Sequence, residues 1–140
     1  MDGRKQVIVA LGTNYAAEKN MAKGLELLAQ LLMDMRHTTI LENPPINLNT
    51  GHFLNCLAIG TTDKSARRLN IALKYIERHC GDRKDLRNKG YIAMDIDLLE
   101  YDGLRYHEDD WNRGYIQQLM KELHHQATPI SDDTSNQTTI

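Results

Sequence analysis

The 140-residue sequence has little of several residue types, and each shortage excludes a class of protein. Its two cysteines, Cys56 and Cys80, are too few and too far apart for a disulfide framework or a zinc site, so we expect a reduced, cytoplasmic protein. No apolar run is long enough to span a bilayer. The N-terminus enters a strand-like run directly, which argues against a signal peptide.

Charge and aromatic content are also low. The formal net charge of −2 favours neither nucleic acid nor membrane as a partner. A sheet that binds RNA usually presents paired aromatic rings and a basic surface, but aromatic residues make up only 6% of this chain. The phosphate-binding pattern Gly-x-x-x-x-Gly-Lys-Ser/Thr is absent, which disfavours an ordinary P-loop kinase. We therefore expect neither nucleic acid nor a membrane as a partner. We also expect a monomer.

What remains is a pattern of apolar residues that predicts one α+β domain over residues 1–124 and a disordered tail over residues 125–140. The predicted elements are a strand over 6–11, a helix over 16–35, strands over 36–42 and 53–59, a helix over 65–80, a charged loop over 82–90, a strand over 92–100 and a short helix over 111–123. Their order is the ferredoxin-like β-α-β-β-α-β arrangement, with an antiparallel sheet and two helices on one face. The other face would stay open for a ligand or a partner.

Two aspartates on the last predicted strand are the first candidate functional residues. Asp95 and Asp97 share one face of the strand, while Met94, Ile96 and Leu98 form the opposite, apolar face. Ionising two adjacent carboxylates is unfavourable unless a cation lies between them. Hard oxygen ligands of this kind suit Mg²⁺ bound together with substrate phosphates. The alternative is a half-buried strand with two solvated carboxylates.

Several short motifs occur in a fixed order along residues 6–119. They are Leu11-Gly12-Thr13-Asn14, Asn43-Pro44-Pro45, Phe53-Leu54-Asn55, Glu77, Asp95-Ile96-Asp97 and Asn112-Arg113-Gly114-Tyr115. Together they resemble the 6-hydroxymethyl-7,8-dihydropterin pyrophosphokinase family of folate biosynthesis. The resemblance implies the same ferredoxin-like fold. It also implies transfer of pyrophosphate from ATP to the hydroxymethyl oxygen of the pterin, with release of AMP.

The resemblance also implies a role for each motif. Asp95 and Asp97 would bind two Mg²⁺ ions that bridge the phosphates of ATP. The pterin would lie near Asn43, Pro44, Pro45, Phe53, Asn55 and Tyr115. Phe53 offers a ring face for stacking, and Asn55 offers both a donor and an acceptor. The nucleotide would contact Glu77, Lys84, His107 and Arg113.

The chain departs from the family pattern just before the aspartate pair. Lys89 stands where the family has tryptophan, and Ile92 stands where it has arginine. Loss of a planar phosphate-binding guanidinium is not a conservative change. These departures leave a second hypothesis, a weak or inactive relative that binds nucleotide or pterin without efficient catalysis. Basic residues of the 82–90 loop, namely Arg83, Lys84, Arg87 and Lys89, are candidates to replace the lost charge, and the loop is a candidate lid.

Overall fold

The computed structural model describes residues 3–44 and 51–127, which form a sheet with helices packed on it. Its elements are β1 (Lys5–Thr13), α1 (Ala17–Leu31), β2 (Met33–His37), β3 (Leu41–Asn43), β4 (Phe53–Thr62), α2 (Ala66–His79), α3 (Lys84–Asn88), β5 (Asp95–Tyr101), β6 (Leu104–Arg105), α4 (Glu108–Trp111) and α5 (Gly114–Ala127). The predicted α+β class is confirmed. β1, α1, β2, β4, α2 and β5 follow the predicted succession, and the other elements are additions to it.

The sheet is antiparallel and has the strand order β2-β4-β1-β5-β6, with β3 also paired to β4. β1 is central because its apolar run is buried on both faces: Val7 and Val9 on one, Ile8 on the other. No helix of the described segments is both long and apolar enough to cross a membrane.

Helices α1 and α2 cover one face of the sheet, as predicted. Buried leucines of both helices, including Leu28 and Leu73, pack in one core with Val9 of β1 and Ile96 of β5. The boundaries of α2 follow local signals. The Ser65 hydroxyl accepts the Arg68 N–H at the start of α2, and Gly81, at φ +94°, follows its end.

The second face is covered in part, so the expectation of a fully open face is wrong. Residues of α5, among them Leu119 and Leu123, form a second core with Ile8 and Leu57. The sequence predicts a helix over 111–123, but the structure divides this segment between α4 and α5 and continues α5 to Ala127. The apolar stripe of α5 requires burial, and the face opposite α1 and α2 provides it.

The predicted strand over 36–42 is in fact two strands. β2 and β3 both pair with β4, and Thr38 lies between them. The Thr38 N–H donates to the Leu57 carbonyl at 2.9 Å, and its hydroxyl accepts the Leu57 N–H at 3.0 Å. This side chain replaces a backbone acceptor and interrupts the ladder. α1 correspondingly ends at Leu31 rather than near residue 35, because the chain already enters β2 at Met33.

Two other predicted segments differ from the structure. β5 begins at Asp95 and not at residue 92, because residues 90–92 bond to Asn14 instead of continuing the ladder. The charged loop over 82–90 contains the short helix α3. Pro45 and residues 128–140 of the predicted tail lie outside the described residues.

Candidate active site

The pairing of β4, β1 and β5 places the candidate residues Asn55, Asp95 and Asp97 near one another in the sheet. Gly12 of β1 is paired with Asn55 of β4 on one side and with Asp95 of β5 on the other. Two residues earlier on β1, Ala10 is paired in the same way with Leu57 and with Asp97. Side chains two residues apart on a strand share a face, so Asn55, Asp95 and Asp97 all point to the face that α5 covers in part.

A cavity of about 300 Å³ opens on this face beside the first turn of α5. Its lining combines the predicted pterin and metal residues, which are Asn43, Pro44, Phe53, Asn55, Tyr115, Asp95 and Asp97. Arg113 and Ile92 also line it. Among the described residues, Glu77, Lys84 and His107 are not part of this lining. One chamber therefore joins an apolar and amide-bearing end to a carboxylate-bearing end.

The carboxylate end holds two acidic side chains that are close enough to affect each other's ionisation. Burial, and then the neighbouring Asp95 carboxylate, raise the pKa of Asp97 to about 6. The Asp97 side chain is only 23% exposed, whereas that of Asp95 is 39% exposed. His107 is the nearest basic group to Asp97, with 4.0 Å between Nε2 and Oδ1, and it opposes the rise in pKa. The pair is thus an oxygen-rich position where added positive charge is favourable.

These donors fit Mg²⁺ better than a transition metal. The described chain contains no group of three or more His, Cys, Asp or Glu side chains that could hold a metal ion. Two carboxylates alone are the set that Mg²⁺ uses when phosphates and water complete its coordination. Asp95 and Asp97 meet that requirement, and the open cavity beside them leaves room for phosphate groups.

The raised pKa of Asp97 predicts how stability depends on pH. Because the folded-state pKa of about 6 exceeds the ordinary value of 3.8, the carboxyl stabilises the fold below about pH 4 and loses that contribution as pH rises through 6. We expect the free energy of unfolding of the metal-free protein to lose about 3 kcal/mol over this range through Asp97. Urea unfolding in EDTA at several pH values measures it. Asp97→Asn should remove this loss, and an unchanged pH profile in that variant would contradict the assignment.

Two asparagines and one glycine shape the other end of the cavity. The side-chain nitrogen of Asn43 is buried and meets no hydrogen-bond acceptor among the described residues. The Asn55 side-chain oxygen lies so close to Gly12 that a Cβ added there would be 2.9 Å away. A buried donor without a partner is costly unless a ligand satisfies it. The arrangement therefore offers amide groups to a polar ligand edge.

Glu77 lies beneath the aspartate pair and not in the cavity lining. It is 5% exposed, and its carboxylate accepts the Ile96 N–H at 2.7 Å and a Lys74 ammonium hydrogen at 3.1 Å. Burial raises the pKa of Glu77 against the effect of these two donors. Since Ile96 separates Asp95 from Asp97, this contact holds the strand that presents both carboxylates. A nucleotide contact for Glu77 stays a prediction.

Substitutions of Glu77 distinguish a structural role, which is to hold β5 through the Ile96 N–H, from the predicted contact with the nucleotide. Glu77→Ala leaves the buried Ile96 N–H without an acceptor, so we expect unfolding to become easier by about 1–3 kcal/mol. Glu77→Gln retains an acceptor and should cost less than about 1 kcal/mol. Denaturant unfolding measures both, with Glu26→Ala on the exposed surface of α1 as the control. Unchanged stability with weaker nucleotide binding in both variants would instead favour the nucleotide contact.

The structure brings to the site Asp110, which the sequence did not indicate, and Arg87, which the sequence indicated only as one of four basic loop residues. Asp110 lines the cavity and accepts Arg113 Nε at 3.1 Å. Arg87 is the basic loop residue that reaches the aspartate pair, 3.3 Å from Asp95 Oδ1. Lys84 and Lys89 of the same segment are exposed. Spacing in the chain gives no signal for these contacts, because α3 and the turn before α5 create them.

The sequence of the chain is similar to a known protein family and to a known plant protein. A family model described as 7,8-dihydro-6-hydroxymethylpterin-pyrophosphokinase matches residues 8–127. The chain is also 30% identical over 122 residues to a protein of Arabidopsis thaliana named as a mitochondrial folate synthesis bifunctional protein. That match covers 79% of this chain and 22% of the plant protein, so the chain spans about a fifth of the length of this relative.

Proposed function

The chain belongs to the 7,8-dihydro-6-hydroxymethylpterin-pyrophosphokinase family, and from this premise we propose that it transfers pyrophosphate from ATP to the hydroxymethyl group of 6-hydroxymethyl-7,8-dihydropterin, a step of folate biosynthesis. One observation carries the proposal: a single cavity joins amide and aromatic side chains to the aspartate pair. The acceptor and the phosphate donor would meet there without any covalent intermediate on the protein.

The ring of the pterin would bind at the end formed by β3, β4 and α5. Phe53 presents an aromatic surface, and Tyr115 adds a second aromatic side chain to the lining. Asn55 supplies a donor and an acceptor, the pair that an aminopyrimidinone edge requires. The buried Asn43 nitrogen supplies a further donor that has no described acceptor within the protein. These features favour a flat, polar-edged heterocycle over an aliphatic ligand.

The polyphosphate would bind at the end that carries Asp95 and Asp97. These carboxylates would hold Mg²⁺ together with phosphate oxygens. A bound Mg²⁺ neutralises phosphate charge and orients the leaving group. Arg113, which lines the same cavity, contributes a guanidinium suited to phosphate oxygens. The residues of the chain thus bind and align the two substrates, which is the main requirement of phosphoryl-type transfer.

The proposed reaction balances without help from a protein nucleophile. The hydroxymethyl oxygen forms a bond to the β-phosphorus of ATP. The bond from that phosphorus to the oxygen that bridges it to the α-phosphorus breaks, and AMP leaves with this oxygen. The hydroxyl proton is released.

A second candidate function is binding without efficient turnover. Ile92 lines the cavity where the resemblance implies an arginine, and Lys89 is exposed where it implies a tryptophan. Both changes remove groups that contact substrate in the implied site. A family member of this kind would retain affinity for nucleotide or pterin and lose rate.

Release of AMP separates the two candidates. The protein is mixed with ATP, Mg²⁺ and 6-hydroxymethyl-7,8-dihydropterin, and each component is omitted in turn. AMP that requires all three supports the enzyme. AMP that forms without the pterin shows ATP hydrolysis and contradicts the proposed acceptor. No AMP, with retained binding of the pterin or of α,β-methylene-ATP and Mg²⁺, supports the second candidate, and binding of neither ligand contradicts both candidates.

A further inference from the structure

The guanidinium of Arg87 lies between two carboxylates at the edge of the candidate active site. Its Nε donates to both oxygens of Asp82, at 2.8 and 2.9 Å. Its Nη2 donates to the Met94 carbonyl at 3.1 Å and to Asp95 Oδ1 at 3.3 Å. Only 34% of the Arg87 side chain and 13% of the Asp82 side chain are exposed. This pair is more enclosed than an ordinary surface ion pair, so solvent screens it less.

The segment that carries Arg87 is fixed by a buried leucine within α3 and by hydrogen bonds just after the end of this helix. Leu86 beside it is 8% exposed, and its carbonyl accepts the Lys89 and Tyr91 N–H groups. Asn14 then holds the following residues, because its amide donates to the Gly90 carbonyl at 2.9 Å and accepts the Ile92 N–H at 2.6 Å. Arg87 therefore approaches Asp95 from an anchored helix. A side chain held in this way can orient its partner.

Arg83, a second arginine of the same segment, forms an exposed ion pair. Arg83 Nε lies 3.0 Å from Asp85 Oδ1, and the two side chains are 60% and 63% exposed. Exposed pairs of this kind contribute little to stability. Among the described residues neither arginine lines the cavity, but only Arg87 reaches Asp95. The two arginines can therefore be compared directly, because Arg87 contacts Asp95 and Arg83 is exposed to solvent.

We infer that Arg87 is a positioning residue for Asp95, and that Asp82 holds the Arg87 guanidinium in the orientation that reaches this carboxylate. Arg87 bonds to Asp95 Oδ1, and the second oxygen of Asp95 would be available to a metal ion. This inference rests on the proposed function, because it assumes that Asp95 helps to bind Mg²⁺ and nucleotide.

The test is a set of variants measured with a nucleotide that cannot react. α,β-Methylene-ATP lacks the bridging oxygen that must leave, so its binding with Mg²⁺ reports the site without turnover. Calorimetry gives its dissociation constant for the wild type and for Arg87→Gln, Arg87→Lys, Asp82→Ala and the double variant Asp82→Ala/Arg87→Gln. Arg83→Gln is the control. Melting temperature and AMP release are measured on the same preparations.

We expect Arg87→Gln to weaken Mg²⁺-dependent nucleotide binding by about 10- to 100-fold, as loss of a group that orients a metal ligand does. Arg87→Lys retains the charge without the fork of donors and should recover part of the loss. Asp82→Ala should act in the same direction. The double variant should be no worse than Arg87→Gln alone, because the two residues act as one unit. Arg83→Gln should bind as the wild type does.

Other results overturn the inference. Arg87→Gln that melts earlier but binds nucleotide with wild-type affinity would show a structural role only. Losses of affinity that add in the double variant would show that Asp82 and Arg87 act independently. If Arg87→Gln is poorly folded, equal binding by Arg87→Lys, Asp82→Ala and the wild type overturns it instead. A wild type that binds no nucleotide with Mg²⁺ contradicts the proposed function itself, and the inference then fails with it. A wild type that binds while Arg87 variants bind equally contradicts the inference alone.

Discussion

Asp95→Ala should abolish pterin-dependent AMP release while the domain stays folded. We expect a loss of about 1,000-fold or more, equivalent to about 4 kcal/mol of transition-state stabilisation, because the variant removes a proposed metal ligand. Stability should change by less than about 1 kcal/mol, since the side chain is 39% exposed and faces the cavity. Steady-state AMP assays and urea unfolding measure the two quantities on one preparation.

Two further variants distinguish charge from volume. Asp95→Asn retains the shape and removes the charge, so it should be nearly as inactive as Asp95→Ala. Asp63→Ala, an exposed aspartate that follows the opposite end of β4, should keep full activity. An active Asp95→Asn would show that charge at this position is not required. An unfolded Asp95→Ala would show that the carboxylate has a structural role in place of the proposed one.

Asn55→Leu should raise the dissociation constant of the pterin by about 100-fold, because hydrogen bonds to the polar edge of a buried ring are lost together. Gly12→Ala should have a comparable effect without altering a proposed contact residue. A Cβ at position 12 would come within 2.9 Å of the Asn55 side-chain oxygen, so the amide must move. Fluorescence titration with the pterin measures both variants.

Gly114→Ala is the matched control for this prediction, because a Cβ at position 114 meets nothing within 4 Å. It should bind the pterin as the wild type does. Affinity for α,β-methylene-ATP should be unchanged in Asn55→Leu, since the change lies at the other end of the cavity. Equal loss of pterin and nucleotide binding would indicate general misfolding, and unaltered pterin binding in Gly12→Ala would contradict the assigned role of Asn55.

Local pattern was sufficient to predict much of the fold. The alternation around Asp95 and Asp97 placed Ile96 and Leu98 in the core, and the structure buries both. The predicted helix over 65–80 is also close to α2, because the end of a helix depends on residues adjacent in the chain, such as the cap at Ser65. The common face of Asn55 and the aspartate pair follows from the register of β4, β1 and β5 in the structure.

What the sequence did not reveal depends on contacts between distant segments. The covering of the second face by α5 required knowing where its apolar stripe packs. The division between β2 and β3 depends on Thr38 bonding across to Leu57. The orientation of Glu77 toward Ile96 joins residues 19 apart in the chain, and a charged residue on a helix is usually solvated. Arg87 could be named only as one of several loop cations until α3 aimed it at Asp95.

The placement of Gly12 between Asn55 and Asp95 has a consequence for which acceptors can react. Adjacent strands lie about 4.8 Å apart, so the backbones of these two residues are separated by about 10 Å, a span set by main-chain hydrogen bonds. Such a span cannot adjust to a ligand as side chains do. If the ring binds at Asn55 and the phosphates at Asp95, the sheet fixes the distance between the pterin ring and the phosphates. An analogue whose hydroxyl sits one carbon farther from the ring should bind normally and yet react poorly, because its oxygen would miss the β-phosphorus.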